Sequence, residues 1–420
     1  MQKPNLLVRL VSALWSAVNG FRKVLHLILL LIVFSVFLGA MSGGAPSLPQ
    51  AAALTIQPRG QLVEEYEGDP FDRAMQELLD EAPPQTVVQD VVDALAHAKT
   101  DSRILAVHLE LSSFGGGGLS KLERIGEAML DYRESGKPLI ASADFYSQDA
   151  YYLAAHADET YLHPEGVVFL TGFGSYRSYF SEAIEKLRID WNVFRVGTHK
   201  TFVEPFTRMD MSDEARESIG AITTQLWDMY RSAIVASREL EHGDVQGFAD
   251  GLVDILEETD GDLALAALNT GLVDDLLTRR EIRARLIELV GEDPEREDAP
   301  NGIDFQTYLS VNSLLNGVDV RDENVAVVIA SGEITGGSQP PGTIGADSTS
   351  ELLRRARNDD SVRAVVLRVD SPGGSAFASD VIANEIIALQ AAGKPVVASM
   401  SSLAASGGYW ISAGADRIFA

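Results

Sequence analysis

Cysteine is absent from the 420 residues, which excludes disulfides, thiol catalysis and cysteine-ligated metal sites. Basic residues are scarce: 34 lysines and arginines stand against 61 acidic residues, and a net charge of -27 argues against a nucleic-acid partner. The seven histidines show no HExxH or comparable ligand spacing, and no GK[ST] sequence closes the glycine run at 115–118. The sequence therefore predicts no metal, nucleotide or other cofactor.

One long apolar run is present, at residues 24–41, and its length suffices for a membrane-spanning helix. Arg9, Arg22 and Lys23 precede this run, and no basic residue follows soon after it. Positive charge marks the cytoplasmic side of a spanning helix. We therefore predict a single-pass anchor, with residues 1–23 in the cytoplasm and the bulk of the chain outside it.

The residues that follow the apolar run are small and include two prolines, so residues 42–53 are predicted to form a tether. Small residues are also what a signal peptidase needs around its cleavage site. A cleaved signal peptide therefore remains an alternative to a permanent anchor, although the apolar run is longer than the usual core of a signal peptide.

An internal repeat is the most informative property of the remaining chain. Three segments recur in the same order at an offset of about 258: SRILAVHLEL (102–111) as SVRAVVLRV (361–369), GKP (136–138) as GKP (393–395), and YYLAAHAD (151–158) as YWISAGAD (409–416). Each copy has the pattern of strand, glycine turn, amphipathic helix, strand and helix. This pattern predicts an α/β fold with parallel strands in two related domains.

The domain limits follow from composition. The sequence EDPEREDAPN is charged and rich in proline, so we predict a linker region at 292–323 between a first domain at 54–291 and a second at 324–420. The first domain adds a long helical pattern at 213–240, which begins after Ser212. The second copy stops where the first has reached residue 162, so we expect the second domain to be incomplete.

Ser406 is the candidate nucleophile. An apolar strand at 395–398 leads through small residues into Ser406 and a Gly-Gly pair, where a helix begins. At such a corner the hydroxyl is accessible, and free amides of the first helical turn can stabilise an oxyanion. The corresponding position in the first copy is Gln148, an asymmetry that favours a functional role over the alternative of a packing corner.

Three segments carry a family resemblance: GKPVVASMSSLAASGGYWISAGAD, VLRVDSPGGSAFASDVI and VFRVGTHKTFVEPFTRMDMSDEARES. They resemble the signal peptide peptidase A, or protease IV, family in its long, duplicated form. The resemblance implies two tandem Clp protease/crotonase-like domains and a Ser-Lys dyad, with Ser406 as the nucleophile and Lys200 as the general base. It also implies an oxyanion site formed by amides around Gly373, Gly374 and Gly407.

An amine accepts a proton only when it is neutral, so a lysine base needs a pKa far below the ordinary value of about 10.4. Burial can lower it, and we expect five apolar residues near Lys200 to contribute: Phe194, Val196, Phe202, Val203 and Phe206. A carboxylate nearby would oppose this effect, so we expect Glu204 to point elsewhere. His199 is the rival base. The alternative nucleophiles Ser399, Ser401 and Ser402 are expected to line the pocket or satisfy backbone groups.

The function implied by the resemblance is that of a serine endopeptidase in the inner membrane, with periplasmic catalytic domains. Its substrates would be signal-peptide remnants and other apolar peptides, and it would assemble as a homo-oligomer, a tetramer by resemblance. Two other classes stay open. A crotonase-type acyl-CoA enzyme would share the amide-built oxyanion site without needing a dyad, and a non-catalytic membrane scaffold of the same fold would tolerate the loss of Ser406.

Overall fold

The computed structural model describes residues 6–42, 48–79, 82–316 and 322–420. The chain divides into two units, Met1–Leu48 and Pro49–Ala420. The first unit contains one helix, α1 (Leu6–Ser42). By length and composition the stretch Leu14–Ile32 of this helix can cross a membrane, and it begins before the predicted span 24–41. Part of the predicted tether, 43–47, lies outside the described residues.

The first half of the second unit, residues 49–316, is built on parallel strands. Its strands are β1 (Ala52–Ile56), β2 (Gly60–Val63), β3 (Gln85–Val87), β4 (Ile104–Glu110), β5 (Phe114–Gly116), β6 (Leu139–Tyr146), β7 (Glu159–Val168), β8 (Asp275–Leu276) and β9 (Gly302–Asp304). They form a six-stranded sheet in the order β8-β7-β6-β4-β1-β9 and a three-stranded sheet in the order β3-β2-β5. Strands such as β4 are almost wholly apolar because helices cover both faces of such a sheet.

The helices of the first half surround these sheets. They are α2 (Pro70–Leu78), α3 (Val88–Thr100), α4 (Leu119–Arg133), α5 (Gln148–Ala154), α6 (Ser181–Lys186), α7 (Glu204–Thr207), α8 (Asp213–Arg238), α9 (His242–Glu258), α10 (Leu263–Asn269), α11 (Arg279–Val290) and α12 (Phe305–Asn316). The predicted helix at 213–240 is α8. It begins after Ser212, as expected, because the Ser212 side chain accepts a hydrogen bond from the Ala215 amide.

The second half, residues 322–420, repeats the α/β character on a smaller scale. Its elements are β10 (Asn324–Ser331), β11 (Glu333–Thr335), β12 (Thr343–Gly345), α13 (Ala346–Asn358), β13 (Val362–Ser371), α14 (Ala376–Ala391), β14 (Val396–Ala404), α15 (Gly407–Ala413) and β15 (Arg417–Phe419). This half is built on a parallel sheet in the order β10-β13-β14-β15, and β11 pairs with β12 in a second, two-stranded sheet. Val365, Leu367 and Val369 of β13 are buried in its core together with α14.

Two predicted boundaries need correction. Strand β1 begins at Ala52, inside the predicted tether, because its first residues are buried in the large sheet. The predicted linker 292–323 contains β9, which pairs with β1, and helix α12. Ile303, Phe305 and Tyr308 are buried there, so most of this segment completes the first half. Residues 317–321 of the predicted linker lie outside the described residues.

Candidate active site

Ser406 lies at the corner between β14 and α15, where the sequence pattern predicted it. The strand is longer than the predicted 395–398, because its serine-rich continuation still pairs with β13 and Ser371 there faces Ala404. The corner is closed by the Gly408 amide, which donates to the Ala405 carbonyl at 2.9 Å. The Ser406 side chain is exposed. A substrate can therefore reach the hydroxyl.

The backbone of Ser406 is strained. Its φ of 51° and ψ of -115° lie where residues with a side chain are uncommon and glycine is favoured. A residue held in such a region costs about 1–3 kcal/mol, and residues of this kind cluster at active sites. A strained turn between a strand and a helix that presents a serine is also the geometry of the nucleophile elbow in α/β hydrolases.

This strain predicts a measurable difference in stability between two variants of Ser406. Ser406→Gly should be more stable than Ser406→Ala by about 1 kcal/mol, because alanine keeps the Cβ and glycine removes its conflict with the backbone. Thermal unfolding of both variants checks the order. The same two substitutions at Ser310, inside α12, provide the control: there glycine should be less stable than alanine by about 1 kcal/mol. Equal stabilities at position 406 would contradict the strain argument.

Gly373 approaches Ser406 more closely than any other residue type could. A Cβ built on Gly373 would lie 2.6 Å from the Gly407 nitrogen and 2.6 Å from the Ser406 Cβ. Gly374 is equally constrained, since its Cβ would lie 2.1 Å from the Ile334 carbonyl oxygen. Strand β11 holds this loop: the Ile334 amide donates to the Gly373 carbonyl at 2.8 Å, and the Ser375 amide to the Ile334 carbonyl at 2.8 Å.

The three predicted glycines differ in what their amides do. The Gly373 amide donates to the Ser371 hydroxyl at 3.1 Å, and that buried hydroxyl donates to the Gly332 carbonyl at 2.7 Å. Within the described part of the chain, the amides of Gly374 and Gly407 have no acceptor. Unpaired amides beside an exposed hydroxyl are suited to bind an oxyanion. Ser371, which supports the loop, carried no distinguishing signal in the sequence.

Lys200 is not brought to Ser406. It lies on an exposed loop between α6 and α7, and no hydrogen bond or ion pair joins it to Ser406 in the described ranges. The expected apolar wall is also open, since Phe194 is 96% and Phe202 is 81% exposed. Glu204 does turn elsewhere, as predicted: it is buried, and its carboxylate accepts hydrogen bonds from the amide and the hydroxyl of Ser212.

The rival groups have other partners. His199 lies 3.2 Å from the Thr198 hydroxyl and 3.4 Å from a carboxylate oxygen of Glu217. The Ser399 hydroxyl accepts from Arg368 at 2.9 Å, and the other two serines, Ser401 and Ser402, contact Glu64 and Ser120. These partners are side chains of other elements and not the local backbone groups that were predicted. Among the described residues, no cluster of three or more His, Asp or Glu side chains could hold a metal ion.

An exposed serine on a strained strand-to-helix corner, beside unpaired glycine amides, is the geometry found in α/β proteins that use a serine nucleophile. The model of the family described as "Peptidase family S49" matches residues 131–292 and 388–420. Protease 4 of Haemophilus influenzae is 38% identical over 413 residues, which cover 95% of this chain and 67% of that protein. The chain belongs to peptidase family S49.

A second relative supports this family assignment by its sequence. Protease 4 of Salmonella typhi is 40% identical over 331 residues, covering 79% of this chain and 53% of that protein. The chain thus spans between about half and two thirds of the length of these relatives. Among solved structures, the 1510-N membrane-bound stomatin-specific protease aligns with 61% of this chain and 94% of its own, at 11% identity and a TM-score of 0.30. A TM-score this low does not establish a shared fold.

Proposed function

We propose that this protein is a membrane-anchored serine endopeptidase that hydrolyses apolar peptides, among them remnants of cleaved signal peptides, through an acyl-enzyme on Ser406. The observation that carries the proposal is the corner itself. The exposed, strained Ser406 lies against Gly373 and immediately before the unpaired amide of Gly407. The names of the family and of its Protease 4 members support a peptidase, and the resemblance to signal peptide peptidase A supports the substrate class.

In this mechanism the Ser406 Oγ attacks the carbonyl carbon of the scissile peptide bond. The carbonyl oxygen becomes an oxyanion, which accepts hydrogen bonds from the amides of Gly407 and Gly374. A general base takes the hydroxyl proton and returns it to the nitrogen of the leaving amine as the bond breaks. Water, activated by the same base, then hydrolyses the ester and releases the second product.

The general base in this proposal is Lys200. Among the described residues it makes no hydrogen bond to Ser406, so it has to approach Ser406 before it can act. Two routes are open: a movement of its own loop, or delivery from a second copy of the chain. The apolar side chains around Lys200 support an assembly of several copies. Three of them are more than four-fifths exposed: Phe194, Val196 and Phe202. Large apolar side chains exposed together in one short segment favour an interaction site, so we propose a homo-oligomer that covers this segment.

We further propose that the two halves are tandem copies of one Clp protease/crotonase-like domain. Equivalent contacts support this. Lys137 donates to the carbonyls of Ala98 and Asp101 at 2.8 and 2.7 Å, and Lys394 donates to those of Ala356 and Asp359 at 2.8 and 2.6 Å. In both halves an aspartate also accepts from the first amide of the strand that precedes it: Asp158 from Leu139 of β6, and Asp416 from Val396 of β14.

The membrane topology in this proposal has α1 as a single-pass anchor in the inner membrane. Its stretch Leu14–Ile32 has the length and composition of a spanning helix, and the basic residues Arg9, Arg22 and Lys23 favour a cytoplasmic N-terminus. Both halves of the second unit would then lie in the periplasm.

Labelling with a serine-reactive peptide probe tests the proposal. In the intact, detergent-solubilised protein the probe should modify Ser406, which mass spectrometry of the digested protein identifies. A probe found on another serine would move the nucleophile to that residue, and no labelling at all would favour a non-catalytic scaffold.

The same probe tests the base. Between pH 6 and 10, the labelling rate should rise through a single ionisation in the wild type and fall by about 10²–10⁴-fold in Lys200→Ala, the usual contribution of general base catalysis. Lys186→Ala is the matched control, because Lys186 is an exposed lysine of the neighbouring helix α6 and should leave the rate unchanged. Labelling that survives in Lys200→Ala and falls in His199→Ala would assign the base to His199.

A further inference from the structure

Four charged side chains form a buried cluster between the two halves. Lys121 of α4 donates to Asp370 of β13 at 2.5 Å, and Arg368 of β13 donates to Glu64 at 2.9 Å. Their side chains are between 6% and 16% exposed. Burial raises the pKa of Glu64, but hydrogen bonds from Arg368 and Ser401 outweigh this effect and keep the pKa below its ordinary value. The Glu64 carboxylate is therefore ionised at neutral pH.

Stability alone is a weak reason for such a cluster. Moving charges out of water is costly, and buried ion pairs are often no more stabilising than apolar side chains of the same volume. What such pairs supply is a fixed geometry, because each buried charge must keep its partner. The cluster therefore directs attention to the backbone that it holds.

The backbone in question is an irregular segment of β14 just before Ser406. Val369 pairs with Met400 and Ser371 pairs with Ala404, so that Asp370 alone faces the three residues 401–403. A bulge of this kind interrupts the backbone ladder and redirects the strand. It leaves backbone groups without ladder partners, and these groups need other acceptors.

Side chains of the cluster supply the missing partners. One carboxylate oxygen of Asp370 accepts from the Leu403 amide at 3.1 Å, while its other oxygen accepts from Lys121. Arg368 donates to the Met400 carbonyl at 3.1 Å. The hydroxyl of Ser401 donates to Glu64 at 2.6 Å. Side chains of both halves thus hold the bulge in place: Lys121 and Glu64 of the first half, and Asp370 and Arg368 of the second.

The bulge leads directly into the catalytic corner. The Ala405 amide donates to the Ser371 carbonyl at 2.9 Å, and Ser406 follows. Asp370 also immediately precedes Ser371, whose hydroxyl accepts from the Gly373 amide. The Asp370 carboxylate therefore lies next to the ends of β13 and β14, the two strands that meet at the site. Lys121 holds that carboxylate in place.

We propose that Lys121 is a positioning residue for Ser406: by fixing the Asp370 carboxylate against the Leu403 amide, it sets the bulge that aims the nucleophile at its oxyanion amides. The proposal rests on the peptidase function proposed above, because it assigns the first half a role in that same site. Lys121 does not touch the substrate. Its effect should appear in kcat rather than in KM, since a misplaced nucleophile impairs the reaction and leaves peptide binding largely intact.

The first test is Lys121→Met in the intact, detergent-solubilised protein, with kcat and KM for an apolar peptide substrate. We expect kcat to fall by about 100-fold, the effect of a displacement of about 1 Å, with KM changed less than about threefold. Lys99→Met is the matched control. Lys99 also pairs with carboxylates of α4 and its neighbouring turn, Asp131 and Glu134, but it lies away from the bulge, so kcat should stay as in the wild type.

Two double variants distinguish the loss of positioning from the destabilisation that an unpaired buried charge causes. Lys121→Met/Asp370→Asn and Lys121→Met/Asp370→Leu both lack charge at the pair and have similar volume. Only asparagine can still accept from the Leu403 amide, so its double variant should have a kcat at least tenfold higher than the leucine one. Equal kcat values would overturn the proposal, and this comparison stands even if Lys121→Met alone fails to fold.

Hydrogen exchange gives a readout that does not depend on activity. Peptides covering residues 399–408 should exchange faster in Lys121→Met and in the leucine double variant than in the wild type, and near the wild-type rate in Lys99→Met. If the wild type neither cleaves peptides nor reacts with the serine probe, the peptidase function fails while the exchange result still judges the positioning role. Unchanged exchange in an active protein, with kcat unchanged, refutes the role of Lys121 alone.

Discussion

Ser406→Ala is expected to lower kcat/KM for an apolar peptide by on the order of 10⁵–10⁶-fold, the usual effect of removing a serine nucleophile. The fold should survive, because alanine keeps the Cβ and the Ser406 hydroxyl has no hydrogen-bond partner among the described residues. The free energy of unfolding should therefore change by less than about 0.5 kcal/mol. Peptide hydrolysis and thermal unfolding of the same preparation measure both quantities.

A second serine provides the control for this experiment. Ser310→Ala alters an exposed helical hydroxyl in the first half that donates to the Gln306 carbonyl, and its activity should match the wild type. Residual hydrolysis in Ser406→Ala above about one thousandth of the wild-type rate would move the nucleophile to one of the serines of β14. Ser399, Ser401 and Ser402 would then need to release the hydrogen bonds that they make in this structure.

Gly373→Ala is expected to lower kcat by about 10²–10³-fold. The loss in the free energy of unfolding should be smaller than the rise in activation free energy that this fall in kcat represents. The new Cβ would lie 2.6 Å from the Gly407 nitrogen and 2.6 Å from the Ser406 Cβ, and both are attached to backbone that cannot turn aside. The Gly407 amide and Ser406 would both be pushed away from residue 373 and out of their positions in the site, and the loss of one oxyanion donor costs about this factor. Steady-state kinetics with an apolar peptide checks the prediction.

Gly393→Ala is the matched control for Gly373→Ala. Gly393 also has a positive φ, 80° against 99° at Gly373, but a Cβ there would meet nothing within 4 Å. It should therefore carry the same kind of backbone strain, of about 1 kcal/mol, without touching the site. Its kcat should remain as in the wild type. Equal losses of kcat in the two variants would mean that strain, and not the clash at Ser406, inactivates the enzyme.

Local chemistry made several features predictable from sequence. The small residues before Gly407 require a sharp corner, which places Ser406 at the start of α15. A serine followed by acidic residues marks the start of α8, because both stabilise the free amides of a helix N-terminus. The alternation of apolar segments and glycine turns indicated parallel α/β layers, and the two halves contain parallel sheets.

Long-range pairing was not predictable from the same patterns. Strand β9 is three residues long and follows a charged segment, so only its pairing with β1 identifies it. Lys121 and Asp370 are 249 positions apart, and a lysine on an amphipathic helix is indistinguishable from a solvated one until the fold brings the aspartate to it. Lys200, assigned by resemblance alone, lies on an exposed loop between α6 and α7 that no sequence pattern ties to Ser406.

The buried cluster has a consequence for the order in which this protein matures. Its two ion pairs join positions 249 and 304 residues apart, so they form only after long loops have closed, which is a slow event in folding. During synthesis the first half emerges earlier and can fold before the strands of the second half exist. The bulge before Ser406 then takes shape on a surface that is already in place. A newly made chain therefore completes the backbone that leads into Ser406 at a late step of folding.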